Sequence, residues 1–256
     1  MWLAGSERMD IFLGTSVLGM CSLDKPARWF DVSNPIEGWD RVQQEIDSMR
    51  GKRKTRVRVR VWLSGSLARP FMLPVMPGLT RAQDAHKVAQ TMCAEATGLT
   101  GSCRVWLDAW VKEQECLAVA MEQSLVDAIE ASADNKGKGK AKFVLEGLRP
   151  WWSEVLRASL HLEDRSLRPS LLAIDDGEAL TVLGGGEQGF TTAVGYGRAT
   201  PDQIESIVSR AMLVGERTSE QTVLVRRHKP DDGAEAASSK ENKLEVIFGA
   251  RWEQMT

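Results

Sequence analysis

Two rhythms of apolar residues alternate along the chain, one of period two and one near 3.6, and their order predicts the elements. Short strands are expected from Ile11 to Gly14 and from Leu18 to Leu23, joined as a hairpin across Thr15-Ser16. Asn34-Pro35-Ile36-Glu37 supplies an N-cap, a proline at the first helical position and a glutamate at the third. Ile36, Trp39, Val42, Ile46 and Met49 follow at helical spacing, up to Gly51. From Arg56 to Leu63 arginine and valine alternate, which puts the valines on one face of a strand and Arg56, Arg58 and Arg60 on the other. A strand over 68–75 carries Pro70 and Pro74, as an edge strand can. Thr80 to Gln83 reads as a capping box for a helix with a small-residue face, Ala82, Ala85, Val88, Ala89, Met92, Cys93 and Ala96, closed by Gly98.

Beyond Gly98 the pattern predicts strands over 103–111 and 116–121 and a helix from Ser124. A basic loop at Asn135 to Lys140 precedes a strand at Phe143 to Leu148, which enters a helix at Pro150-Trp151-Trp152. A second hairpin follows: Leu171 to Ile174, the turn Asp175-Asp176-Gly177, and Ala179 to Leu183. A strand over 190–194, a helix capped by Thr200-Pro201-Asp202-Gln203 and a strand over 222–225 complete this half. Pro230 to Asn242 reads as a polar linker and Leu244 to Phe248 as a last strand.

Composition narrows the class. The chain has 256 residues, 43% hydrophobic and 27% charged, with a net charge of −2, as in an ordinary globular protein. No apolar run approaches the roughly 18 to 20 residues that cross a bilayer, and the N-terminus lacks the pattern of an export signal, so the expected location is cytoplasmic. Cys21, Cys93, Cys103 and Cys116 have no CxxC spacing and read as thiols. His86, His161 and His228 fall in no catalytic or metal motif. His86 and His228 read as solvated, and His161 as a helix-end residue complementing the dipole.

The segments IFLGTSVLGMCSLD, VRVWLSGSLARPFMLPV with its TRAQDA helix, RVWLDAWVKEQECLAVAMEQSLVDAI and FVLEGLRPWW, with Trp62, Trp106, Trp151 and Trp152, carry a resemblance. From Ile11 to about Val225 the chain resembles the cytoplasmic actin-like domains of bacterial assembly platforms, the type II secretion L protein and the type IV pilus M protein. The resemblance implies an α/β actin-like (ribonuclease-H-like) fold of two related lobes, with mixed sheets flanked by helices. Residues 1–165 would form the first lobe with an inserted subdomain, and 166–256 the second, including the polar loop 229–242. It further implies a non-catalytic adaptor at the cytoplasmic face of the inner membrane, docking a partner ATPase and platform proteins. Membrane contact would run through partners or a further segment, and a homodimer is compatible. The L protein carries a transmembrane helix beyond this domain; this chain has none, so it is expected to be a truncated piece or to resemble the soluble M protein.

Actin-like ATPases open each half with Asp-x-Gly, whose acid manages a magnesium-bound water beside the phosphates. Here Phe12 stands at the acid's place in the first hairpin, and Asp10 lies about 7 Å back along the strand. Asp175-Asp176-Gly177 satisfies the pattern formally but is also a strong hairpin signal. Gly184 to Gly189 reads as a turn, without the lysine and hydroxyl of a P-loop. The expectation is therefore no catalysis, no metal and no cofactor. The alternative is an ATPase binding ATP and magnesium, with Gly14, Thr15, Ser16, Asp175 and Gly177 as phosphate contacts. The stripe Arg56, Arg58 and Arg60 reads either as charge guarding an edge strand or as a docking face for an acidic partner or anionic membrane surface. Nucleic acid is not expected, since no aromatics interleave with the arginines.

Overall fold

The computed structural model describes residues 7–22, 25–52, 57–133, 143–160, 170–186, 189–215, 222–227 and 250–254. The first half begins with three strands, β1 (Glu7–Leu13), β2 (Val17–Ser22) and β3 (Lys25–Asp31), then helix α1 (Pro35–Lys52) and β4 (Val57–Leu63). After β4 come β5 (Ala68–Leu73), α2 (Ala82–Thr97), β6 (Cys103–Leu107), β7 (Cys116–Glu122) and α3 (Gln123–Ala133). The chain then returns through β8 (Phe143–Pro150) and α4 (Trp151–Leu160). The second half comprises β9 (Leu171–Asp175), β10 (Ala179–Gly186), β11 (Gly189–Gly197), α5 (Pro201–Val214), β12 (Thr222–Arg227) and β13 (Ala250–Gln254).

The two large sheets share the arrangement of their first four strands and differ at the fifth, which runs parallel to its neighbour in the first sheet (β8 beside β4) and antiparallel in the second (β13 beside β12). The first has the order β3-β2-β1-β4-β8 and the second β11-β10-β9-β12-β13. In each, three consecutive strands form an antiparallel meander whose first member pairs in parallel with a later strand, β1 with β4 and β9 with β12. β5, β7 and β6 form a separate antiparallel sheet, inserted between β4 and β8 and covered by α2. β5 lies at its edge, where Pro70 is tolerated.

Alternation along the strands sends successive side chains to different cores. Met9, Ile11 and Leu13 of β1, with Val57, Val59 and Val61 of β4, pack against Trp39, Val42 and Ile46 of α1 and Leu125, Val126 and Ile129 of α3. Leu171 and Ala173 of β9 pack against Ile204 and Val208 of α5. The residues between them, Phe12 on β1, Trp62 on β4 and Leu172 and Ile174 on β9, meet Trp151, Trp152 and Val155 of α4 in a core shared by both large sheets. That shared core brings the two hairpins face to face.

Several sequence expectations need correction. β4 is no edge strand: it lies between β1 and β8 and pairs in parallel with both. Its arginines are tolerated inside the sheet because acids stand beside them, with Asp10 directly opposite Arg60 in the register. The capping box at Thr80 does not form. The residue before α2 is Arg81, extended and without a side-chain cap, although Gly98 closes the helix at φ 66° as expected. The α5 capping box is present, with Thr200 and Gln203 bonded reciprocally. Asn34 caps α1 by accepting from the Glu37 N–H at 2.9 Å. β3 and β13 are strands that the apolar pattern does not announce. The linker over 230–242, the strand over 244–248, His161, His228 and Arg56 lie outside the described residues.

Candidate functional site

The hairpin β1–β2 turns through Gly14-Thr15-Ser16, closed by the Gly14 N–H donating to the Val17 carbonyl at 2.8 Å. The hairpin β9–β10 turns through Asp176-Gly177-Glu178, closed by the Asp176 N–H donating to the Ala179 carbonyl at 3.1 Å. The registers agree: Leu13 pairs with Leu18 as Asp175 pairs with Leu180. Structurally, then, Asp175 corresponds to Leu13 and Ile174 to Phe12. Neither hairpin presents an acid at the Phe12 position, and both Phe12 and Ile174 are buried in the shared core.

Phe12 has no solvent exposure and meets Trp29 and Trp151 edge-on, with centroids 5.8 and 6.2 Å away. Arg227, from the end of β12, reaches across and lies over both rings, its guanidinium carbon 4.5 Å from the Phe12 centroid and 4.4 Å from that of Trp29. Its Nε donates to the Asp176 carbonyl oxygen at 2.6 Å. A desolvated cation on an aromatic face is attracted by the ring quadrupole. The place of the missing acid is filled by rings, and the charge on those rings is supplied by the other half.

Glu178 completes the closure. Its Oε2 accepts from the Thr15 N–H at 2.6 Å, and its Oε1 accepts from the Ser16 N–H at 2.6 Å and the Ser16 hydroxyl at 2.7 Å. The Ser66 hydroxyl donates to Oε2 at 3.3 Å. These backbone amides and small hydroxyls form an anion-binding turn of the kind that holds phosphate, and the anion they hold is a carboxylate of the same chain. Gly14 makes the approach feasible, since a Cβ there would lie 2.0 Å from Glu178 Oε2.

Asp176 makes the second bridge. Its Oδ2 accepts from the Ser64 hydroxyl at 2.9 Å and the Gly65 N–H at 2.7 Å, in the turn after β4. Its Oδ1 accepts from the N–H groups of Glu178 and Ala179, both at 2.9 Å. Complete burial raises its pKa above the ordinary carboxylate value, and the four donated bonds offset this only in part.

Of the residues singled out in the sequence, Gly14, Thr15 and Ser16 stand at this site. Asp175 does not face the first hairpin: it accepts from the Gly177 N–H at 2.9 Å and lies 3.8 Å from Arg226. Gly177 is exposed and left-handed at φ 84°, a turn requirement. Glu178, Asp176, Ser64, Ser66 and Arg227 were not singled out. The legible signal was the turn position shared by Ser16 and Glu178, which becomes visible only once the hairpins are aligned by register. The donors of the first turn are engaged by Glu178, and the apolar side chains Phe12 and Ile174 stand at the two corresponding strand positions.

Arg58 and Arg60 are engaged locally. Arg60 donates to both oxygens of Asp10, at 2.7 and 3.0 Å, and Arg58 pairs with Glu146. Burial, the largest influence, raises the Asp10 pKa; Arg8 opposes it, and Glu146 and Glu154 add to it. His86 is exposed on α2, yet its Nε2 stands 2.8 Å from the Val105 carbonyl. Cys93, Cys103 and Cys116 are buried free thiols, and Cys21 is half-buried. Among the described residues no helix is long and apolar enough to cross a membrane.

No protein-family model matches the chain, and no curated protein matches its sequence. Solved structures do. A Bacteroides thetaiotaomicron protein with an actin-like ATPase fold and unknown function aligns with TM-score 0.52 at 10% identity, over 89% of this chain and 84% of that one. The PilM–PilN type IV pilus biogenesis complex aligns with TM-score 0.48 at 12% identity, over 81% and 66%. The cytoplasmic domain of EpsL, an inner-membrane component of the Vibrio cholerae type II secretion system, aligns with TM-score 0.40 at 13% identity, over 75% and 71%. The fold is the actin-like ATPase fold, α/β with mixed sheets flanked by helices, in agreement with the sequence reading.

Proposed function

We propose that this chain is a non-catalytic actin-like scaffold whose two halves are held together by its own side chains instead of by a nucleotide. One observation carries the reading: the Glu178 carboxylate takes up the Thr15 and Ser16 amides and the Ser16 and Ser66 hydroxyls. A phosphate entering that turn must displace a charge-assisted network whose anion is already in place. The aromatic packing of Phe12 supports the same reading, because an apolar ring offers nothing to a metal-bound water. The setting we propose is an inner-membrane secretion or pilus assembly platform, with a partner ATPase and platform proteins docked by surface contacts on the cytoplasmic side. That setting rests on the sequence resemblance.

The competing reading is an actin-like ATPase that uses the same turn with Asp175. Calorimetry with ATP and magnesium separates the two. The scaffold reading expects no saturable binding up to about 1 mM nucleotide. Micromolar binding that disappears in Asp175→Ala would overturn it.

A further inference from the structure

A second polar site lies on the first sheet, independent of the hairpins. The pairing of β4 with β8 slips by one residue between Val59 and Arg60, leaving Glu146 as an extra residue of a β-bulge beside Gly147. Beneath that bulge and against α4 is a hollow of about 280 Å³, lined by Arg60, Arg149, Arg157 and Trp62, with Glu146 and Glu154 also on its wall. Gly147 lines it, and a Cβ there would meet only Arg149 Nε, at 3.6 Å, an ordinary van der Waals distance.

Three observations give this hollow a ligand chemistry. First, its charges do not cancel. Arg60 is held by Asp10, Arg157 by Glu154, and Glu146 by Arg58, with Arg8 near both Asp10 and Glu146. No carboxylate pairs with Arg149 among the described residues. The lining itself sets Arg60, Arg149 and Arg157 against Glu146 and Glu154, an excess of one positive charge, and Arg149 is the arginine that carries it. Second, Trp62 is 2% exposed, and its indole Nε1–H has no hydrogen-bond partner among the described residues. A buried donor without an acceptor is costly, and this one belongs to a residue that lines the hollow. Third, the volume lies below the roughly 300 to 1,000 Å³ of sites for drug-sized ligands, which selects a small ligand, and the unpaired Arg149 selects an anionic one.

We propose that this hollow binds phosphate or the phosphate group of a small phosphomonoester. Arg149 supplies the uncommitted fork, Arg60 and Arg157 the flanking charge, and Trp62 a neutral donor. Planar guanidinium groups match tetrahedral oxyanions in charge and in donor geometry.

Titration calorimetry at low salt, with inorganic phosphate and phenyl phosphate as probes, tests the site. The expected result is saturable one-to-one binding, weakened about tenfold by Arg149→Ala and several-fold by Trp62→Phe. Arg149→Lys should restore part of it, and removal of an unrelated surface charge in Lys87→Ala should leave it unchanged. Arg149 is exposed, so its variants should remain folded. No saturation by about 10 mM phosphate would overturn the proposal. Binding that is insensitive to Arg149→Ala, or reduced equally by Lys87→Ala, would do the same.

Discussion

At Gly14 the absence of a side chain is what allows one half of the molecule to touch the other. A methyl group added there would coincide with the Glu178 carboxylate, whose two oxygens are both held. Gly14→Ala should therefore destabilise the protein by about 1–3 kcal/mol in urea unfolding, and much less in a Glu178→Ala background. Equal costs in the two backgrounds would mean that the approach is unimportant. Phe12 offers the complementary test. Phe12→Asp restores the acid of the nucleotide-binding pattern but removes a fully buried ring, at about 3 kcal/mol or more. Thermal shift should report a lower melting temperature and no response to ATP with magnesium, because Glu178 still occupies the turn. Phe12 was legible in the sequence because a known pattern pointed at its position. Glu178 was not, because its partners lie 162 and 163 residues away and no local rhythm records such a contact.

Among the elements, α4 joins all three sheets. It continues directly from β8, its Trp151 and Val155 enter the shared core, and the Trp152 indole donates to the Ala68 carbonyl of β5 at 2.8 Å. Trp152→Phe keeps most of the apolar contact and leaves that buried carbonyl unpaired. A loss of about 1–3 kcal/mol in urea unfolding is expected, and an unchanged midpoint would refute the bridging role. The hairpins and helices were legible because their apolar periods are clean, as in Val57 to Leu63 and Ile204 to Met212. β3 was not: Lys25–Asp31 interleaves Pro26, Arg28 and Asp31 with its aromatics, so neither period stands out. The interior place of β4 was also hidden, because its neighbour β8 begins 80 residues after Leu63 and the acids that balance its arginines come from other strands.

For the molecule as a whole, the hairpin contacts make closure depend on acids that differ in burial. The folded-state pKa of Asp176 lies above its unfolded value, so its ionised form lowers stability at neutral pH. That penalty is relieved as the pH falls and the folded protein takes up the proton first. Between about pH 7 and pH 4, the stability of the wild type relative to Asp176→Ala should therefore rise on acidification, measured by urea unfolding across the range. A relative fall would place the Asp176 pKa on the other side of its ordinary value.

A carboxylate tethered to its own binding turn acts at an effective concentration set by the chain, in the millimolar range or above, whatever the surrounding solution contains. A nucleotide held in such a turn would instead come and go with its concentration in the surrounding solution. On the proposed scaffold reading, the contact between the halves is fixed by Glu178, a residue of the chain itself. If that reading holds, a partner straddling both halves would meet the same surface whatever the nucleotide concentration.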